Sequence, residues 1–297
     1  MQNSLDRRSF LKTTAGTAIG LAALDAARLA AAEAPKGTPH AEKLGWRLGC
    51  TLYSFNRYSF EEAVEMNAGL GLRFAEGFTW QKLSKDDPKT KTDPALSPAQ
   101  RQQMKKKLAD CGVKLLNTYC QFGKDEAAGR KMFEFAKDLG IETLICEPPL
   151  ESLDMVEKLC DEYQVNVAIH NHPKPNSQYW NPATLAKACK GRGKRIGACA
   201  DTGHWMRSGI TALDGVKMLA DRILTFHFKD LNEFGNPKAY DVPWGTGVGK
   251  FKDLLAEIRR LKIKAFFGIE YERDLPDKRP EIAKCVTWFE KTAAELR

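Results

Sequence analysis

Short apolar segments alternate with amphipathic segments along the chain after residue 40. The apolar segments are rich in β-branched and aromatic residues, which favours strands, and the segments between them have helical periodicity. Eight strand candidates result, at residues 47–55, 73–78, 114–122, 143–148, 165–172, 195–201, 223–230 and 265–271. Eight strands, each followed by a helix, need about 250 residues in a closed (β/α)8 barrel. The pattern therefore predicts an α/β fold, a single-domain TIM barrel over residues 45–297.

The alternative fold is an open doubly wound sheet, which typically has a glycine-rich phosphate-binding turn after its first strand. The first strand candidate ends in Thr51-Leu52-Tyr53-Ser54-Phe55, and no such turn follows it. We therefore favour the barrel. Two connections, 79–96 and 231–250, are long and follow strand candidates. We expect both to form loops over the face on which TIM-barrel sites lie.

The first 34 residues have the order of features typical of an export signal. The pair Arg7-Arg8 precedes an Ala- and Gly-rich apolar segment at 13–24, and small residues at 30–34 resemble a signal peptidase site. The alternative is an amphipathic first helix with a chance pair of arginines. We predict a twin-arginine (Tat) signal peptide at 1–34 and a linker at 35–44. The protein would then be periplasmic or otherwise exported.

Composition excludes several other classes of protein. Of the 297 residues, 43% are hydrophobic and 28% are charged, which is typical of globular domains rather than disordered or fibrous chains. No run of about 18 apolar residues is present, so we expect no stable membrane insertion. The eight cysteines include no CxxC pair, which argues against a zinc ribbon. The net charge of +8 leaves nucleic acid open as a partner on composition alone.

Polar residues cluster where the predicted strands four to eight end. These residues are Glu147, His170, His172, Asp201, His204, His227, Lys229 and Glu270. The carboxyl ends of barrel strands meet at one mouth. Carboxylates and imidazoles together favour a divalent metal such as Mn, Zn, Co or Fe. Each residue alone has a structural explanation, such as a rim ion pair for Glu147 or a turn for Asp201. The whole set, at successive strand ends, favours a functional site.

Three segments resemble motifs of the xylose isomerase-like TIM-barrel superfamily of sugar phosphate isomerases and epimerases. They are Asp201-Thr202-Gly203-His204, His227-Phe228-Lys229-Asp230 and Gly268-Ile269-Glu270. The resemblance covers residues 45–295 and implies that Asp201, His227 and Glu270 are metal ligands. Strand five departs from the family pattern, because His170-Asn171-His172 stands where a metal-binding Glu is usual. We expect Glu147 to complete the metal shell, with His170 as the alternative.

The resemblance implies a divalent-metal-dependent sugar isomerase or epimerase that acts on a ketose or keto-sugar through a metal-bound enediolate. Glu270 is the expected catalytic base, and the opposite group would be Glu147 or His170. The residues expected to contact the substrate are His172, His204, Arg207 and Lys229. The partner would be a small-molecule sugar, with no nucleic acid, and a homo-oligomer is compatible with the sequence.

Three other functions are considered. A lyase or hydrolase acting on 3-keto-glycosides would use the same fold, and the imidazole in strand five and the export signal favour it. An abasic-site endonuclease would need histidines in strands two and three, where this chain has none. A non-catalytic sugar-binding barrel would explain the missing Glu in strand five. Aromatic residues near the predicted mouth suit either sugar stacking or ordinary packing; they are Tyr53, Phe55, Trp80, Trp180, Trp205 and Trp244.

Overall fold

The computed structural model describes residues 36–296 and shows a closed barrel of eight parallel strands. The barrel strands are β1 Arg47–Thr51, β2 Phe74–Phe78, β3 Lys114–Tyr119, β4 Thr143–Cys146, β5 Asn166–His170, β6 Ile196–Asp201, β7 Ile223–Phe228 and β10 Phe266–Ile269; β8 and β9 lie outside the barrel and are described below. The order around the barrel is β1-β2-β3-β4-β5-β6-β7-β10. The predicted single-domain (β/α)8 barrel is confirmed. The predicted Tat signal at 1–34 lies outside the described residues.

Helices follow the strands and surround the barrel. They are α1 Pro39–Lys43, α2 Phe60–Gly69, α3 Pro98–Asp110, α4 Glu126–Leu139, α5 Leu153–Tyr163, α6 Pro182–Cys189, α7 Thr202–Arg207, α8 Ala212–Met218, α9 Phe251–Arg260 and α10 Arg279–Glu295. Their ends follow the local sequence. Ser59 and Glu62 form a capping box at the start of α2. Gly140 ends α4 in the left-handed conformation that glycine adopts without steric cost.

The segment 35–44, predicted to be a linker, contains helix α1. Ala41 in α1 is fully buried. The backbone N–H groups of His40 and Ala41 donate hydrogen bonds to the carboxylate of Glu290 in α10. This helix therefore packs against the barrel instead of connecting freely to it.

Side-chain alternation along the strands separates two layers of packing. In β7, Phe226 and Phe228 pack with Phe267 beneath the surrounding helices. Thr225 and His227, which alternate with these two residues, have the opposite orientation and point into the barrel. A small apolar cluster of Ile145, Ala168 and Cys199 packs separately from the main core. The inward layer above it is polar, and it forms the site described below.

Several predicted strands end earlier than expected. The first strand ends at Thr51 and continues as a 3-10 helix, Leu52–Phe55. Strand β5 ends at His170, because the Asn171 side chain takes over the pairing with β6. Asn171 Oδ1 accepts from Asp201 N at 3.0 Å, and Asn171 Nδ2 donates to Asp201 O at 3.1 Å. His172 therefore lies in the loop that follows the strand.

The two long connections have internal structure. In the loop 79–96, Lys82 and Lys91 form an antiparallel bridge. In the loop after β7, the strands β8 Asp230–Leu231 and β9 Asp241–Val242 form a two-stranded antiparallel pair. Among the described residues, no helix is both long and apolar enough to cross a membrane.

Candidate functional site

A cavity of about 410 Å³ opens at the carboxyl ends of the barrel strands. One side is lined by titratable residues, namely Glu76, Glu147, His170, His172, His204, Glu270 and Glu272. The other side is lined mainly by aromatic residues. Its volume and mixed lining are typical of small-molecule sites, which range from about 300 to 1,000 Å³.

Four buried residues form the centre of the polar side: His170, Asp201, His227 and Glu270. One ligand atom from each residue lies within 4.8 Å of those of the other three. Strand register brings them together, because Asp201 pairs with His227 across β6 and β7. Glu270 directly follows β10, which pairs with β7. The predicted ligands Asp201, His227 and Glu270 are therefore adjacent, and the fourth member of this group is His170.

His227 lies between two carboxylates. Its Nε2 is 2.6 Å from Glu76 Oε1, and its Nδ1 is 3.2 Å from Glu270 Oε2. Burial lowers the pKa of His227, but the surrounding Cys199, Glu270 and Glu76 outweigh burial and raise the pKa well above its usual value. The site therefore stabilises positive charge at this position.

Glu76 is not among the site residues predicted from the sequence. It is buried at 1% exposure in β2 and also accepts a hydrogen bond from Asn117 Nδ2 at 3.3 Å. The available signal was a carboxylate inside an otherwise apolar strand. Charged residues are almost never fully buried unless they are paired, so a Glu at this position implies a partner.

His170 is held in the same manner by Glu147. His170 Nδ1 lies 3.2 Å from Glu147 Oε1, and His170 Nε2 lies 3.5 Å from Asp201 Oδ2. Burial lowers the pKa of His170, but Asp201 and Glu147 raise it by more. Glu147 also accepts hydrogen bonds from Ser177 Oγ and contacts His172 Nδ1. Glu147 thus contacts the outer nitrogen of His170 and is not grouped with Asp201, His227 and Glu270.

Lys229 is fully buried among carboxylates. Its Nζ lies 3.0 Å from Asp201 Oδ2, 2.6 Å from Glu270 Oε2 and 2.7 Å from Glu272 Oε2. Burial lowers the pKa of Lys229, but these carboxylates raise it well above its usual value. Lys229 was expected to contact the substrate, whereas the residues that line the cavity do not include it.

His204 lies between Asp201 and Arg207. Asp201 caps helix α7 by accepting a hydrogen bond from His204 N at 2.7 Å. Arg207 Nη1 lies 3.1 Å from His204 Nδ1. His204 Nε2 faces Lys229 Nζ and Asp201 Oδ2, each at 3.5 Å, so both ring nitrogens of His204 have charged neighbours. Burial is the main cause that holds the pKa of His204 well below its usual value. Asp201 raises this pKa in part, and the positive charge of Lys229 lowers it further.

Of the predicted substrate contacts, His172 and His204 line the cavity, and Arg207 lies behind His204. The side chain of His172 is 46% exposed. Arg207 is fixed from several directions, since its Nε donates to Ala239 O at 3.0 Å and its Nη1 lies 3.5 Å from Glu272 Oε2.

The aromatic side of the cavity forms a row of rings that reaches the histidines. Ring centroids are 5.3 Å apart for Tyr53 and Phe78, 5.2 Å for Phe78 and Trp80, and 5.6 Å for Trp80 and Tyr119. Tyr119 is 5.3 Å from His170. Trp80, at 42% exposure, is the outer end of the row. These rings can cover one face of a bound ligand.

Three of the six aromatic residues considered in the sequence are buried packing residues. Phe55, Trp205 and Trp244 are at most 3% exposed. Trp244 packs on Phe228 at 5.0 Å. Trp180 lies over the ammonium of Lys174 at 5.5 Å and does not line the cavity. Only Tyr53 and Trp80 of this set reach the cavity.

Three buried atoms of the central group form no hydrogen bond within the described part of the chain: His170 Nε2, Asp201 Oδ2 and His227 Nδ1. Their contacts with neighbouring charged groups, at 3.0–3.8 Å, are ion-pair contacts without hydrogen-bond geometry. Buried polar atoms are nearly always satisfied, so a converging set of unsatisfied ones calls for a ligand. Two imidazoles and two carboxylates could hold a borderline divalent cation.

Comparisons with known proteins agree with this architecture. An uncharacterized protein from Parabacteroides distasonis has a similar structure, with a TM-score of 0.68 and 29% identity over 83% of this chain and 99% of that chain. A D-allulose 3-epimerase from Methylomonas sp. matches with a TM-score of 0.63 and 12% identity over 83% of this chain and 98% of that chain.

A structure of the IOLI protein with a zinc atom matches with a TM-score of 0.59 and 15% identity, over 84% of this chain and 97% of that chain. At such low identity, the second and third structures show a shared fold alone. No curated protein matches this sequence. The sequence profile described as xylose isomerase-like TIM barrel matches residues 68–292, three quarters of the chain. The chain therefore belongs to the xylose isomerase-like TIM barrel family.

Proposed function

We propose that this protein is a divalent-metal-dependent sugar isomerase or epimerase that acts on a ketose or keto-sugar. The observation that carries the proposal is the convergence of His170 Nε2, Asp201 Oδ2, His227 Nδ1 and a Glu270 oxygen at the mouth of the barrel. This donor set suits Mn, Zn, Co or Fe. The cavity beside it is of a size for a small molecule.

The proposed shell differs from the sequence expectation in one member, because His170 takes the place expected for Glu147. Both histidines have one nitrogen against a carboxylate, Glu147 for His170 and Glu76 for His227. The other nitrogen of each ring points to the shared centre. Metal-bound histidines are usually oriented in this way by an outer carboxylate. We therefore assign Glu147 and Glu76 to positioning.

The bound metal would supply Lewis acidity, which makes the hydrogen beside a sugar carbonyl easier to remove. Residues of the chain then hold and move that proton. Glu270 uses Oε2 for its contacts with His227 and Lys229, and we assign its Oε1 to proton removal. His172, held at Nδ1 by Glu147, is assigned the opposite transfer through Nε2. Two groups on different sides of the substrate are what epimerisation requires.

We assign His204 a contact with the substrate, because its ring lines the cavity. Arg207 Nη1 lies 3.1 Å from His204 Nδ1, and Lys229 Nζ lies 3.5 Å from His204 Nε2. These contacts hold the ring from both sides. Arg207 therefore acts through His204 as a positioning residue.

Deuterium exchange tests this proposal. The protein, loaded with Co²⁺ or Mn²⁺, is incubated with a set of free ketoses in D₂O, and sugars are followed by NMR and mass spectrometry. Deuterium should enter the carbon beside the carbonyl as epimer or isomer forms. Glu270→Gln should slow exchange by about 10²-fold or more, whereas Glu233→Gln, at an exposed loop position, should not. Absence of exchange with every ketose would contradict the proposal.

A second candidate is a lyase or hydrolase acting on 3-keto-glycosides. Two observations favour it: an imidazole, His172, faces the cavity from the loop after β5, and an aromatic row extends from the site to Trp80. Removal of a hydrogen from the carbon beside the keto group would be followed by loss of the leaving group from the carbon adjacent to it. A 3-keto-glucoside with a chromogenic leaving group separates the two functions. Release of that group, without deuterium in recovered ketoses, would favour the lyase.

We further propose export through the Tat pathway to the periplasm, on the basis of the sequence of residues 1–34. Cell fractionation of the full chain tests this. Replacement of Arg7 and Arg8 by lysine should retain the protein in the cytoplasm. Unchanged localisation of the double variant would contradict a twin-arginine signal.

A further inference from the structure

We propose that Lys229 is the internal counter-cation of the metal site, and that Glu272 retains its ammonium when a divalent ion binds Asp201 and Glu270. This inference rests on the proposed metal site. Lys229 Nζ contacts three carboxylate oxygens at 2.6–3.0 Å and is fully buried. Its ammonium contacts both carboxylates of the proposed shell, Asp201 and Glu270.

The ammonium and the proposed ion would use the same oxygens. Asp201 Oδ2 faces His170 Nε2 at 3.5 Å, His227 Nδ1 at 3.8 Å and Lys229 Nζ at 3.0 Å. Glu270 Oε2 faces His227 Nδ1 at 3.2 Å and Lys229 Nζ at 2.6 Å. A divalent ion bound to these oxygens would repel an ammonium that shares them, and this repulsion is strong in a buried site. Lys229 must then withdraw from Asp201 and Glu270.

Glu272 provides a second position for the ammonium. Its Oε2 lies 2.7 Å from Lys229 Nζ, and its side chain is partly exposed. Its backbone N–H donates to Asp241 Oδ2 at 2.8 Å, which fixes the segment. With a divalent ion present, the charges of Asp201 and Glu270 are balanced by that ion, and Glu272 balances Lys229. Without the ion, Lys229 faces all three carboxylates.

The chain leaves room for the Lys229 side chain at Gly203. A Cβ atom at Gly203 would lie 2.7 Å from Lys229 Cβ and 3.0 Å from Lys229 Cδ. Any larger residue at 203 would therefore displace the lysine stem. Gly203 lies in the first turn of α7, Lys229 directly follows β7, and Thr202 Oγ1 donates to Lys229 O at 2.9 Å. The position of the lysine is thus built into the packing.

Cobalt titration tests the inference, with Co²⁺ absorption giving affinity and thermal unfolding in EDTA giving the stability of the metal-free protein. Lys229→Met should bind Co²⁺ about tenfold or more tightly, because a close cationic competitor is removed. Its Tm in EDTA should fall, and its gain in Tm with Co²⁺ should exceed that of the wild type. Glu272→Gln should bind Co²⁺ about tenfold more weakly. Lys252→Met, at an exposed position, should match the wild type in both measurements.

Equal or weaker Co²⁺ binding by Lys229→Met would overturn the inference and leave the proposed metal site standing. Failure of the wild type to bind Co²⁺ would overturn both. Refolding of Lys229→Met only in the presence of Co²⁺ would support the inference, since the ion would replace the lost cation. If that variant does not fold under either condition, Glu272→Gln decides: unchanged Co²⁺ affinity there would contradict the role of Glu272.

Discussion

His227 and Glu76 form a buried pair in which His227 Nε2 lies 2.6 Å from Glu76 Oε1 and neither side chain exceeds 2% exposure. The pair turns the other ring nitrogen of His227 toward Asp201 and Glu270. Glu76→Gln should therefore lower Co²⁺ affinity by about 10- to 100-fold, the usual effect of losing an outer carboxylate. Titration against the wild type measures this. Glu233→Gln is the control. Equal Co²⁺ affinities of Glu76→Gln and the wild type would contradict the positioning role of Glu76.

The carboxyl group of Asp241 should make stability depend on pH. Burial, the largest cause, raises the pKa of Asp241 from 3.8 to about 6, and Lys229 opposes this only in part. The folded state therefore holds this proton more tightly than the unfolded state. The group's contribution to stability is complete below pH about 3.8 and is lost as the pH rises through about 6.

Asp241→Asn cannot ionise, so its stability relative to the wild type should increase by about 1–3 kcal/mol between pH 4 and 7. Urea denaturation across this pH range measures the free energies of unfolding. A difference between variant and wild type that stays constant, or falls, with rising pH would show that Asp241 ionises normally.

Asp230 should stabilise the loop after β7. Its carboxylate accepts hydrogen bonds from the backbone N–H groups of Gly245, Gly247 and Gly249 at 2.9–3.0 Å. Asp230→Ala leaves these donors without their partner and should lower the free energy of unfolding by about 2–4 kcal/mol. Asp253→Ala, at an exposed position in α9, should cost less than about 1 kcal/mol. Equal losses in the two variants would argue against this role.

Trp80 should contribute to sugar binding and not to metal affinity. Trp80→Ala should raise KM for the sugar about 2- to 10-fold, because one ring of the aromatic wall is lost. Its Co²⁺ affinity should match the wild type, since Trp80 contacts Tyr119 and none of the proposed ligands. Trp180→Ala, outside the cavity lining, is the matched control. A larger change in Co²⁺ affinity than in KM for the sugar would contradict the role of Trp80 in sugar binding.

The barrel and much of its mouth could be predicted from the sequence. Strand and helix periodicity are local properties, and residues at successive strand ends must meet in a barrel. Asp201, His227 and Glu270 were therefore expected to lie together. The sequence could not separate His170 from Glu147, because both stand at strand ends, and which of them faces the proposed metal site depends on side-chain direction.

The positions of Glu76 and Lys229 depend on register and packing, which are not local. The pairing of β2 with β3 shifts between Ala75 and Glu76, and that of β6 with β7 shifts between Ala198 and Cys199. A one-residue shift reverses the face that a side chain presents. The sequence predicted a substrate contact for Lys229, and its burial follows from packing that brings it against Gly203.

We infer that His170, Asp201, His227 and Glu270 together hold one divalent ion. Elemental analysis after Co²⁺ loading and gel filtration measures this in the wild type, His170→Ala and Glu147→Ala. We expect one equivalent in the wild type, almost none in His170→Ala, and retention in Glu147→Ala with affinity weakened by about 10- to 100-fold. Full occupancy in His170→Ala together with loss in Glu147→Ala would show that the ligand assignment is wrong.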